Sequence, residues 1–119
     1  MYIYIITFGD LEKRLLLAVA KGVKENLGFE TRISWVASKP RYQGEKLLEY
    51  LTTLNYPQLL RMLAIVKEDI GNSEGLLRDK VALLSIHGIP SYDERVFFDR
   101  VVREGVNLLM KSLTKPVSP

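Results

Sequence analysis

The sequence contains no cysteine and a single histidine, His87. The first absence removes disulfides, thiolate zinc sites and cysteine nucleophiles together. The second excludes a three-histidine metal site, since one imidazole without partners gives a metal ion little affinity. No apolar run approaches the roughly 18 residues that a membrane-spanning helix needs. Phe8-Gly9-Asp10 offers one glycine, where a dinucleotide fingerprint requires three at set spacing. No serine–histidine–acid set stands out. The opening Met1-Tyr-Ile-Tyr-Ile-Ile has neither a basic leader nor a small-residue cleavage site, so it reads as a strand and a cytoplasmic location is expected. A net charge of +3 is mildly basic, short of a dedicated nucleic-acid binder.

What remains is an ordinary globular composition, 47% hydrophobic and 26% charged. A chain of 119 residues predicts one domain, 1–119, large enough to bury a core without staples. Tyr2 to Phe8 is rich in β-branched and aromatic residues and predicts a strand that ends at the Gly9-Asp10 turn. Asp10 suits the cap of a helix running to about Leu27, with Leu11, Leu15, Ala18, Val19, Gly22 and Val23 inward and Leu17 outward. Thr31 to Ala37 alternates, with Ile33, Trp35 and Ala37 on one face, and predicts a second strand. A second helix is expected from about Gly44 to Leu54. Leu60 to Val66 is almost continuously apolar, the pattern of a strand buried on both faces. Gly71-Asn-Ser-Glu-Gly75 reads as a loop, and Val81 to Ile86 as the fourth strand.

The fold class expected is therefore α/β: a three-layer sandwich around a mostly parallel, mixed four-stranded sheet, in the order β-α-β-α-β-(loop)-β-α. The last helix, from about Tyr92, carries the widest apolar face. At about 100° per residue, Phe97, Val101, Gly105 and Leu108 form one apolar row, and Phe98, Val102, Val106, Leu109 and Leu113 form another. Arg100, Arg103, Glu104, Asn107 and Lys111 share the remaining face. The tail from about residue 114 should fray.

That polar strip carries a family resemblance. Arg100-x-x-Arg103-Glu104-Gly105-Val106-Asn107-Leu108-Leu109-Met110-Lys111 resembles the active-site helix of the archaemetzincins, a family of zinc metallopeptidases whose helix reads R-x-x-K-E-A-x-H-E-x-G-H. Tyr42-x-Gly44-x-x-Leu47-Leu48-x-x-Leu51 is similar to the family's Y-x-A-x-x-L-L-x-x-L segment. Leu63 to Ile70 resembles its L-G-x-T-x-x-D-L strand end, and Ser85-Ile86 sits where it carries Ser-Leu. The resemblance covers roughly residues 1 to 113. It implies the N-terminal subdomain of such an enzyme, without the cysteine-bearing C-terminal half that holds a second zinc.

Zinc needs histidines at i and i+4 so that both imidazoles share a face, with the intervening glutamate as general base. Here Asn107 and Lys111 replace the two histidines, Leu108 the base, and Thr114 and Val117 the later glycine and third histidine. The resemblance thus implies an archaemetzincin-like protein with no catalytic residues, no metal ligands and no cofactor, retained as an interaction or regulatory protein. Its candidate groove comprises Arg100, Arg103, Glu104, Asn107 and Lys111, with Asp69 at a strand end. The strip also reads as a solvated face with an Arg100–Glu104 ion pair, and His87 as a turn residue. The expected partner is a protein or a second copy, and no membrane. The alternative is a small basic module binding nucleic acid or a nucleotide at the strand carboxyl ends.

Overall fold

The computed structural model describes residues 1–116, so the expectation for Val117 lies outside the described residues. Five strands and three helices follow one another: β1 (Tyr2–Phe8), α1 (Lys13–Leu27), β2 (Glu30–Val36), α2 (Glu45–Thr52), β3 (Leu59–Val66), β4 (Leu76–Arg78), β5 (Val81–Ser85) and α3 (Glu94–Thr114). They form one sheet in the order β2-β1-β3-β5-β4. Every neighbouring pair is parallel except β4–β5. The expected α/β class and mixed, mostly parallel sheet are present.

The strand count departs from expectation. Leu76–Arg78 pairs antiparallel with β5, Arg78 opposite Val81, so Asp79-Lys80 makes a two-residue turn. Asp79 takes φ +50° there, a left-handed conformation that aspartate tolerates and that tight hairpins require. Without an Asn-Gly or Asp-Gly pair, the sequence reads as loop.

Helices cover both faces. Ile3, Ile5, Leu63 and Ile65 turn towards α1 and α3, and meet Leu15, Val19, Val101 and Leu109. Tyr2, Ile6, Met62, Ala64 and Val66 turn the other way, onto Leu47, Leu48 and Leu51 of α2. The alternation within β3 explains its unbroken apolar run: both faces of the central strand are buried. Helix α1 crosses so near α3 that a side-chain carbon at Gly22 would collide with Val102.

Three local expectations are corrected. Asp10 does not cap α1; Glu12 occupies that position, without a side-chain cap bond, while Leu11 N–H donates to the Gly9 carbonyl. The last helix begins at Glu94, and Asp93 is its cap, accepting from the Val96 amide at 3.2 Å. It continues to Thr114, so that residue is helical and not part of a frayed tail.

Both apolar rows of α3 face the interior. Val101, Gly105, Val106, Leu108 and Leu109 are buried, with Phe97, Phe98 and Val102 packed against the same core. Leu109→Ala should cost about 2–5 kcal/mol of stability, as truncation of a buried leucine does, whereas Lys111→Ala should scarcely shift the denaturant midpoint. Chemical unfolding of the two variants checks the face assignment.

Candidate functional site

The polar strip of α3 divides into two sides. Arg100, Glu104, Asn107 and Lys111 line a 240 Å³ cleft together with Ser73, Glu74 and Leu108. Arg103 lies across the helix, in a depression with Asn26, Asp99, Val102 and Val106, and Asn107 borders both. Asp69 belongs to neither. Its carboxylate accepts from the Gly71 amide at 2.8 Å, closing a local turn after β3. The Arg100–Glu104 ion pair is present at 3.3 Å on the cleft wall, and at that exposure contributes about 0.3–0.5 kcal/mol.

The wall facing α3 is the segment between β3 and β4. Asn72 folds it: its side chain accepts from the Glu74 amide at 2.9 Å, and its carbonyl from the Gly75 amide at 3.2 Å. Gly75 has φ +94°, and a side-chain carbon there would lie 2.6 Å from Leu108 Cδ2 and 2.9 Å from the Leu83 carbonyl oxygen. Glycine is thus required both by conformation and by space. Leu108, 3% exposed, fills the gap beneath the loop. Leu108 thus brings a hydrocarbon side chain, seated in the core, to the floor of the cleft.

Next to the cleft's helix lies an interaction that sequence reasoning missed. Arg61 in β3 is buried, and its guanidinium donates to the Ser112 carbonyl at 3.1 and 3.3 Å, to Ser112 Oγ at 3.0 Å and to the Leu60 carbonyl at 2.7 Å. It pins the last turn of α3 to the sheet. Burial lowers its pKa from the usual arginine value. No carboxylate among the described residues is paired with it; the negative end of the α3 dipole and neutral acceptors hold the charge. A lone cation inside an apolar strand run was the available signal.

No known family model matches the sequence, nor does that of any curated protein. The fold does have solved counterparts. A zinc-dependent peptidase from Methanocorpusculum labreanum superposes with a TM-score of 0.74 at 15% identity, over 95% of this chain and 81% of that one. Archaemetzincin from Archaeoglobus fulgidus, complexed with malonate, gives 0.70 at 16% identity, over 95% and 78%. At such identity the likeness is one of fold. Its span exceeds the half of those chains that the sequence resemblance implied.

Within that fold, the other sequence candidates are dispersed. His87 is exposed beyond β5, its amide donating to Ser85 Oγ at 3.0 Å, as a turn residue does. Among the described residues no three His, Cys, Asp or Glu side chains stand together where one ion could be held. No helix among them is long and apolar enough to cross a membrane.

A second crevice opens at the carboxyl ends of β1 and β2. Its 310 Å³ is lined by Phe8, Val36, Tyr42, Leu47 and Tyr50, with Lys39 and Arg41 on the loop that leads to α2. The Tyr42 and Tyr50 rings lie 5.2 Å apart, and the Arg41 guanidinium is 5.8 Å from the Tyr42 ring. Both charged liners are cations.

Two substitutions test the closed cleft. Leu108→Glu would bury a carboxylate without a partner and should destabilise the fold by about 3 kcal/mol or more. Gly75→Ala, strained in φ and crowded by Leu108, should cost about 1–3 kcal/mol. Thermal and denaturant unfolding measure both, and wild-type stability in either would show that the loop does not rest on Leu108.

Proposed function

We propose that this chain is a catalytically silent relative of the archaemetzincins that acts by binding a protein segment in the α3 cleft. The observation that supports this reading is Leu108 packed beneath Gly75. A metallopeptidase of this kind needs a carboxylate there to activate water, and imidazoles one turn apart to hold the ion that polarises the scissile carbonyl. Asn107 and Lys111 occupy the imidazole positions. An amide is a weak metal ligand and an ammonium repels a cation. The cleft offers recognition chemistry: a guanidinium, an ammonium, a carboxylate and an amide along the α3 wall, with the Glu74 carboxylate on the facing loop. Those groups suit an extended polar segment of mixed charge.

The test is metal and peptide chemistry on untagged protein. After dialysis it should hold far less than one zinc per chain and leave peptides intact. About one tightly bound zinc per chain, or sustained hydrolysis, would defeat the reading. The paired change Asn107→His with Lys111→His, which leaves Leu108 in its packing, should gain weak zinc affinity if both side chains face the cleft one turn apart. The same pair without any gain would tell against an archaemetzincin-like arrangement of the helix.

A second reading rests on the crevice that contains Lys39 and Arg41. Two cations beside two exposed tyrosine rings suit a nucleotide or a single-stranded nucleic acid, whose phosphates the cations meet and whose bases stack on the rings. Oligonucleotide binding that weakens steeply with salt, and is lost on Lys39→Ala with Arg41→Ala, is its expected signature. Binding that ignores both changes removes it.

A further inference from the structure

The sheet ends in two edges of different character. Strand β4 is three residues long, ends in Arg78 and passes at once into the Asp79-Lys80 turn, a short and charged edge of the kind that resists pairing. Strand β2 is the opposite. It runs for seven residues in continuous register with β1, without proline and without a bulge, and nothing among the described residues pairs with its outer side. An edge of that length presents a row of unsatisfied amide and carbonyl groups.

Its side chains are as permissive as its backbone. On the α1 face Ile33 is 42% exposed and Trp35 37%, two apolar residues in alternate positions at the rim of the sheet. Trp35 is fixed there: its indole N–H donates to the Leu11 carbonyl at 2.6 Å and the Lys13 ammonium stands 4.7 Å from its ring. On the other face Glu30 and Arg32 lie 3.8 Å apart, and Arg32 stacks over Tyr2 at 4.0 Å. The strand therefore carries no net charge, and two copies of it approach without net repulsion.

We propose that two copies of this chain pair antiparallel along β2, about a two-fold axis at Ile33, and join their sheets into one. Pairing all seven residues of a strand with its own copy requires the axis at the central residue. Ile33 then opposes Ile33, Thr31 opposes Trp35 and Arg32 opposes Ser34, since antiparallel partners share a face. The exposed isoleucine and tryptophan become neighbours across the junction, and the outward backbone groups acquire partners. A second copy suits this edge because the same segment supplies both halves of the match. The inference depends on the sheet edge alone, so it stands or falls apart from the α3 cleft.

The cysteine-free sequence allows a direct test. Ile33→Cys introduces one thiol per chain, placed by the two-fold against its counterpart within disulfide reach. Mild oxidation should cross-link it into a dimer at least about tenfold faster than Met110→Cys, a somewhat more exposed site on α3, because only the former gains from effective concentration. Sedimentation of the unaltered chain should show the mass moving from one chain towards two across about two decades of concentration. Ile33→Lys, at an exposed position, should keep the fold by circular dichroism and remain a single chain. Equal cross-linking of the two cysteine variants, a single-chain mass throughout, or a dimer that survives Ile33→Lys would each overturn the proposal.

Discussion

The burial of α3 along two adjacent apolar rows is the constraint on which the other features rest. A helix with so wide an apolar face must be enclosed on several sides, and it is: the sheet lies beneath it, α1 beside it, and the β3–β4 loop over Leu108. Each neighbour yields something to accommodate it. Gly22 gives up its side chain to α1–α3 contact, Gly75 takes a left-handed conformation so that the loop can lie down, and Arg61 leaves solvent to tie off the last turn. Arg100, Glu104, Asn107 and Lys111 stay polar and form one wall of the cleft because they are what the packing leaves uncovered.

The same constraint shapes the chemistry. Leu108, flanked by the cleft residues Asn107 and Lys111, is part of the core. A leucine at this point strengthens the fold through its contact beneath the β3–β4 loop. The likeness to zinc peptidases is one of architecture, a shared arrangement of sheet and helices. The distribution of exposed groups elsewhere follows from the sheet order: β2 and β4 are edges, and only β4 is short and charged.

Legibility varied with how local the governing physics is. The two apolar rows of α3 and the doubly buried β3 were readable, because hydrophobic periodicity records which way a side chain faces. Strand β4 was not, because its hairpin turns through Asp79-Lys80, where aspartate does what glycine ordinarily signals. Asp10 has the right side chain for a cap, yet the helix starts beyond it at Lys13. The candidate groove was legible in part: Arg100, Glu104, Asn107 and Lys111 share a wall, Arg103 rotates to the far side, and Asp69 is spent on its own turn.

By itself the sequence determined the inventory of chemistry and the facing of each element. One histidine and no cysteine exclude a histidine or thiolate zinc site wherever the chain folds, and periodicity within a helix or strand is set by backbone geometry alone. Tertiary structure decided what the elements meet. That Leu108 lies under Gly75, that Arg61 reaches Ser112 across 51 positions of sequence, and that β2 is left at a free edge depend on strand order and loop path. Those follow from how two apolar sheet faces are covered at once, a property of the whole chain that no window of its residues contains.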